Sequence, residues 1–306
     1  MRGREPTNLW PVRRHSFSGP DDLRAMQSMA TRLWEPSSRF HPGQLAWNRH
    51  HHEVPSDRAH QGEAVSLWSD DSRVVGFGWA EAPDWLELQV DPGYPEVADE
   101  VIEWFEEWSD AETQSALVME GDVAEPALAA AGFAPEVDQP FFCHHLLDLT
   151  LLNISPSRSG YTFRHVELSE AAARSACHRA AWSQFGPSPV SAGAYAALMA
   201  AWPYRADLDW VAVDGDGAMV ASCLVWFDPG TGVGLVEPVG CVPDHRGRGL
   251  AAAVTVAALT HLRELGAGWA QVTSRGDEAY PAPQRLFRSL GFRPTARTVT
   301  WTRSLT

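Results

Sequence analysis

The chain contains no lysine: all 24 basic residues among its 306 are arginines. A phosphate loop of the Gly-Lys-Ser/Thr kind, which relies on that amine, is thereby excluded. Cysteine is scarce as well. Cys143, Cys177, Cys223 and Cys241 show no CxxC spacing, so neither a zinc site nor a dithiol redox pair is indicated. No apolar run approaches the ~18 residues needed to span a bilayer. Met1–Glu5 opens into polar sequence rather than an apolar signal core, and a cytoplasmic location is expected. Positive charge is outweighed: 39 acidic residues leave a formal net charge of -15. Such a surface disfavours nucleic acid or an anionic membrane as the main partner and suits a cationic ligand such as an amine.

Apolar and aromatic residues are plentiful, with 44% hydrophobic content and 14 tryptophans, so the chain has material for two ordinary cores. One stretch carries chemistry. A β-rich run ends at Pro243, the glycine-rich turn Asp244–Gly249 follows, and an alanine-rich helix begins near Gly249. Gly247 and Gly249 allow the backbone to gather its N–H groups into one concavity. The helix adds its unpaired N-terminal donors and the positive end of its dipole, while Arg246 and Arg248 add full charges. A pyrophosphate suits that site, which points to a nucleotide-bearing cofactor. A dinucleotide fingerprint fits poorly, because Gly247-x-Gly249 is followed by Ala252 instead of a third glycine. For the motif alone, a plain turn between strand and helix remains the alternative.

The chain repeats its own plan. Val12–His15 before the helical stretch Leu23–Trp34 parallels Tyr161–His165 before Glu170–Trp182. Arg73–Trp79 parallels Ala218–Trp226 as the second strand of a hairpin. Gly132-Phe133-Ala134-Pro135 and a terminal strand Phe141–Leu147 parallel Gly291-Phe292-Arg293-Pro294 and Thr298–Thr302. A tandem duplication follows: residues 1–152, a polar linker 153–160, and 161–306. At the loop position the first copy reads Asp91-Pro92-Gly93-Tyr94-Pro95-Glu96. Its acids repel phosphate and its prolines lack donors, so only the second copy is expected to bind the cofactor.

Arg246-x-x-Gly249-x-Ala251 fits the Q/R-x-x-G-x-G/A signature of the GNAT superfamily of N-acetyltransferases. Residues 160–306 resemble a complete GNAT domain, through that loop, the helix Leu250–Leu265, the strand Trp269–Thr273 and the closing Arg285–Phe292 run with its LGF turn. Leu250, Val254, Ala258, Leu262 and Leu265 share one face of the long helix. The layout is similar to that of tandem members of the mycothiol synthase type. The fold class implied is α/β (α+β), two tandem GNAT-like domains, each a mixed, mostly antiparallel sheet flanked by helices. The activity implied is direct transfer of an acyl group, with acetyl-CoA as co-substrate, to a primary amine of a small molecule in a ternary complex. No metal is called for. The N-terminal domain is expected to cover one side of the acceptor cleft, in a monomer or homodimer.

The resemblance also assigns residues. Backbone groups of Cys241 and Val242 are expected to bind the pantetheine as an added strand, beside a splayed sheet. Arg246, Gly247, Arg248, Gly249, Leu250 and Ala251 are expected to hold the pyrophosphate. The Cys241 side chain is expected to be a small apolar wall rather than a nucleophile. Glu237, four residues before Cys241, is similar to the glutamate base of the histone-acetylating branch, and Pro238 beside it favours a bulge. A carboxylate there is expected to have a raised pKa. The tyrosine that many members use as general acid is replaced by Phe287, which is expected to line the cofactor. Tyr280 is the substitute acid, Ser274 a weaker one, and protonation by water the remaining option. Trp182 and Phe185 either line the acceptor pocket or pack the core.

Two histidine clusters read as structure. His50-His51-His52-Glu53 has adjacent side chains that point apart, and Cys143-His144-His145 sits in a strand, where neighbours face opposite sides. Two rival functions stay open. One is a non-catalytic acyl-CoA sensor or scaffold, consistent with Phe287; the other is an aminoacyl-tRNA-dependent transferase on a paired fold.

Overall fold

A computed structural model describes residues 11–51, 62–71, 73–136, 140–154 and 157–305. His52, Glu53 and part of the linker lie outside these residues. In the first half the chain forms β1 (Arg13–Ser16), α1 (Pro20–Arg32), α2 (Pro42–His50), β2 (Glu63–Ser69), β3 (Val74–Glu81) and β4 (Trp85–Val90). It continues with α3 (Val97–Trp108), β5 (Thr113–Met119), α4 (Glu125–Ala130), β6 (Ala134–Pro135) and β7 (Phe142–Asp148). The second half supplies β8 (Thr162–His165), α5 (Ala171–Trp182), α6 (Ala192–Ala200), β9 (Asp209–Val213), β10 (Met219–Asp228) and β11 (Val233–Cys241). It closes with α7 (Leu250–Glu264), β12 (Trp269–Arg275), α8 (Ala282–Ser289) and β13 (Arg293–Ser304).

Two compact units arise, and they trade segments across the duplicated halves. One consists of residues 1–33, 60–139 and 299–306; the other of 34–59 and 140–298. In the first unit β1, β2, β3 and β4 form an antiparallel meander, and β4 then runs parallel to β5. The last residues of β13 complete this unit beside β5 and β6. In the second unit β8, β9, β10 and β11 repeat the antiparallel meander, followed by parallel β12. There β7 pairs antiparallel with β12 and with the first residues of β13.

The repeat extends to helix ends. In α4 and α8 the residue after the terminal glycine donates five positions back, Phe133 to Leu128 and Phe292 to Phe287, at 3.0 and 3.1 Å. Gly132 and Gly291 donate to Ala129 and Arg288, both at 3.1 Å, with φ at +84° and +94°. This is the Schellman closure, which requires a left-handed residue after the helix. The paired "Gly-Phe" sites are therefore one turn used twice.

Helix α7 departs from the one-faced expectation. Every residue from Ala253 to Leu259 is buried, and Leu265 is only the half-buried cap. Its alanines let it sink between neighbours, which a wide apolar stripe permits. On the other face of the sheet, Ala46 and Trp47 of α2 pack with Tyr195, Leu198 and Trp226, so residues of the first half build part of the second unit's core. Beside them lies a buried ionic network. Arg174 and Asp209 are both fully buried and joined at 2.8 Å, and Asp209 also accepts from Tyr195 at 2.5 Å and Tyr204 at 3.2 Å. Burial and the adjacent carboxylate push both phenols above their ordinary range.

Candidate functional site

The site is set by a strand that parts from its neighbour. β11 pairs with β12 only over Val233–Leu235 and Trp269–Gln271, although β11 continues to Cys241 and β12 to Arg275. On its other edge β11 stays joined to β10, with a register shift between Cys223 and Val225. There Glu237 and Pro238 face one residue of β10, the bulge expected from Pro238, which lacks a ladder donor. The Glu237 carbonyl accepts from the Trp226 indole at 2.7 Å, which fixes the bulged backbone. The Glu237 side chain is half-buried, with Oε2 shielded from solvent.

Beyond the bulge, Gly240 admits helix α5. A Cβ at that position would lie 2.2 Å from the Trp182 ring, so glycine is what allows the tryptophan to rest on the strand. Trp182 stacks on His178 at 4.3 Å, and His178 meets Trp47 at 5.4 Å. Burial, with Arg174, His51 and Arg179 nearby, brings His178 down to about 3, so its ring is neutral. Trp182 is thus a half-buried stacking residue, whereas Phe185 is 60% exposed and meets Tyr280 edge-on at 5.2 Å.

The two residues expected to offer backbone groups differ. The Val242 N–H donates to Val220 of β10 at 3.0 Å, so it is not open to a ligand. Cys241 stands opposite Ala221, and in an antiparallel ladder that position turns its backbone groups to the other edge, where the sheet has parted. The Cys241 thiol is pushed up to about 11, first by burial and then by Cys177, in accord with a wall rather than a nucleophile.

After β11 the loop behaves as its glycines require. Gly247 and Gly249 have φ of +74° and +75°, and α7 begins at once with Leu250 and Ala251. A Cβ on Gly247 would meet nothing within 4 Å. The turn is therefore open at Gly247 and stands at a helix N-terminus, where backbone N–H groups favour an anion. Arg246, expected to contribute its charge there, points elsewhere. Its Nε donates to Cys241 O at 3.1 Å, one terminal nitrogen to Ala181 O at 2.8 Å, and the other to Gln184. The guanidinium ties the carbonyl end of α5 to the loop, where the helix dipole favours a cation. Gln184 in turn donates to the Tyr280 hydroxyl at 3.0 Å, leaving that hydroxyl's own proton available.

Arg248 donates to Tyr161 at 2.8 Å and Asp244 O at 3.0 Å. Arg158, from the linker, brings its Nε 2.9 Å from where a Cβ on Gly249 would stand. Nothing in the sequence signals Arg158 or Tyr161, since a polar linker and a strand entry are adjacent to the loop only in the folded unit. Phe287 lies buried in the core, edge-on to Phe292 at 5.7 Å. Ser274 is also buried. His144 and His145 are both buried in β7, with His144 brought down to about 3, as packed strand residues. Among the described residues no group of three His, Cys, Asp or Glu is placed to hold a metal ion. Nor is any helix among them long and apolar enough to cross a membrane.

In the first unit β4 also parts from β5 after three pairs, Trp85–Glu87 with Ser115–Leu117. The loop beyond it is closed by its own side chain. Asp91 accepts from the Gly93 N–H at 2.9 Å and from Arg32, so a carboxylate already occupies the Gly93 donor of that turn.

Comparison with known proteins agrees with this geometry. A model of the acetyltransferase (GNAT) family matches residues 174–292. A mycothiol acetyltransferase of Nocardiopsis dassonvillei is 39% identical over 83 residues, 27% of this chain and 22% of that protein. Another mycothiol acetyltransferase, of Thermobispora bispora, is 48% identical over 60 residues, 20% of each chain. The similarity thus spans about a fifth of these relatives' length. Among solved structures, a tandem GNAT protein from the clavulanic acid biosynthesis pathway superposes with a TM-score of 0.62 at 18% identity, over 97% of this chain and 99% of its own. A GCN5-related N-acetyltransferase from Sphaerobacter thermophilus gives 0.61 at 18%, over 97% of each. At that identity they speak to the fold.

Proposed function

We propose that this chain is a GNAT protein of the tandem type, an acetyl-CoA-dependent N-acetyltransferase acting on a small primary amine. The observation that carries the reading is the parting of β11 from β12 directly before a doubly left-handed glycine turn, open at Gly247, and the start of α7. The parted edge suits a pantetheine arm laid beside Cys241. The turn and the first N–H groups of α7 at Leu250 and Ala251 suit a pyrophosphate. Bound acetyl-CoA supplies a thioester-activated acetyl group, and the amine forms the new C–N bond as the C–S bond breaks.

The amine must reach that bond neutral. Glu237, on the bulge ahead of the parted edge, accepts the proton that the ammonium gives up. The Tyr280 hydroxyl, oriented by Gln184, gives a proton to the departing sulfur. Leu290 and Phe292 join Phe287 in the core, so this side chain anchors α8. The first copy, whose loop binds its own Asp91, has a structural role.

Thiol release from acetyl-CoA, followed over a panel of amines that includes an amine-bearing precursor of mycothiol, tests the reading. Turnover on at least one small amine is expected. Glu237→Gln is expected to lower kcat by about 10²–10⁴ with acetyl-CoA affinity unchanged. Binding of acetyl-CoA without turnover on any amine would refute the catalytic reading, and kinetics unaltered by Glu237→Gln would remove Glu237 as base.

A further inference from the structure

Strand β7 carries Cys143-His144-His145, and alternation along a strand sends Cys143 and His145 to one face and His144 to the other. The ladder sets Ser274 of β12 directly opposite Cys143 on one side and Arg297 of β13 directly opposite it on the other. Directly opposed residues project to the same face with Cβ atoms about 5 Å apart, so both stand beside the thiol. Helix α8 adds Arg288, whose charge acts on Cys143 and on His145. Phe141, two residues before Cys143, closes the row. Its ring lies against Gly276, where a Cβ would be 2.2 Å away, and the Arg297 guanidinium lies over that ring at 5.6 Å.

Two polar atoms on this face are buried without a partner among the described residues. Ser274 is 4% exposed, and its Oγ makes no hydrogen bond. His145 is fully buried, and its Nδ1 meets the Cys143 carbonyl at 3.1 Å. A carbonyl only accepts, so Nδ1 carries the ring proton and Nε2 is a bare acceptor with no donor against it. Burial, with Arg288 nearby, brings the His145 pKa down and keeps the ring neutral. Buried groups of this kind are costly until something completes them.

The four cysteines are free, and they differ in setting. Cys177 and Cys223 are buried, and the half-buried Cys241 thiol is pushed up to about 11. Cys143 is half-buried too, and there Arg288 and Arg297 oppose the rise that burial brings. Arg288 is exposed and forms no ion pair among the described residues. An accessible thiol with a base on one side and guanidinium charge on the other is the setting of a reactive cysteine.

We propose that Cys143 is a thiol-exchange site, at which a small disulfide bearing carboxylates leaves one of its halves as a mixed disulfide. His145 Nε2 takes the thiol proton, and the Cys143 sulfur attacks one sulfur of the disulfide. The S–S bond of the reagent breaks as the new one forms, and the departing thiolate takes up the proton. One half of the reagent is reduced to a thiol while Cys143 is oxidised, so the disulfide itself is the oxidant. Arg288 and Arg297 attract the carboxylates, and the Ser274 hydroxyl bonds the group attached at its side.

Exposure of the full chain to oxidised glutathione, an anion, and to cystamine, a cation, tests this, with adducts located by peptide mass spectrometry. Cys143 is expected to take up glutathione at least about tenfold faster than the cystamine half, although the net charge of -15 favours the cation. Arg288→Gln, at an exposed position, is expected to narrow that preference by about threefold or more. His145→Gln is expected to slow both reagents by about tenfold or more and leave the preference between them unchanged. Cystamine reacting as fast as glutathione would overturn the proposal. So would a folded protein that stays unmodified at Cys143 while the urea-unfolded chain reacts there, or a glutathione preference that Arg288→Gln and Arg297→Gln both leave intact.

Discussion

Acidification should loosen the second unit well before most carboxylates titrate. Burial brings His41 down to about 4, against the opposing pull of Asp228 and a hydrogen bond to Val233 O. Burial also brings His144, near Arg39 and His145, and His178, near Arg174, His51 and Arg179, down to about 3. All three belong to the second unit, with ordinary values of 6.5. A histidine with a depressed folded pKa is neutral when folded and takes up a proton on unfolding. Its contribution is therefore intact above its unfolded pKa, and is lost as pH falls from 6.5 towards the folded value. At pH 5.5 each costs about 1.4 kcal/mol relative to pH 8, and the three together about 4 kcal/mol, a large part of the stability of an ordinary domain. His145, shifted in the same direction, adds to this. Asp207, brought down to about 2 by Arg205 and His261, acts only in a more acid window.

Urea unfolding followed at pH 8, 6.5 and 5.5 measures the effect. A fall in the midpoint that corresponds to uptake of about three protons near pH 5.5 is expected. Substituting His178 by phenylalanine, which keeps the stack on Trp182, should remove about one proton from that slope. A midpoint flat between pH 8 and 5.5 would refute the reasoning, because neutral buried histidines cannot then be what the second unit contains.

Three further outcomes follow from the geometry. Gly249→Val sets a β-branched residue at φ +75° and a Cβ against Arg158, so CoA affinity in calorimetry should drop at least about tenfold while the protein remains folded by circular dichroism. Cys241→Ala should leave kcat within about twofold, given a thiol pushed up to about 11; loss of turnover would restore it as a nucleophile. Asp209→Ala strands Arg174 without its counter-ion in a fully buried position and should cost about 3–5 kcal/mol in denaturant unfolding.

The sequence showed the repeat and the loop because both depend on local chemistry. Gly247 and Gly249 occur where left-handed backbone is needed, and the Gly-Phe pairs close two helices with one hydrogen-bond pattern. Pro238 similarly signalled the bulge. What escaped was tertiary. Arg246 reads as a phosphate ligand beside glycines, yet the carbonyl end of α5 competes for it through Ala181 and Gln184. Val242 reads as an open donor until β10 is seen to claim its N–H. Arg158 reads as part of a spacer, and only the fold brings it against Gly249 of the loop. The even cut at 153–160 follows the repeat, whereas pairing of β7 with β12 and of β13 with β5 draws the compact units along other residues.

That pairing has a bearing on how the protein is made. During synthesis β5 emerges long before residues 299–304, the segment that lies beside it. Its edge must wait through the whole of the second copy, a row of unsatisfied amides and carbonyls exposed to whatever strand comes first. A nascent chain stalled anywhere in the second half would present that edge to its neighbours. Dependence on a holding chaperone is accordingly expected to be greatest late in translation, and to end once the final strand is released.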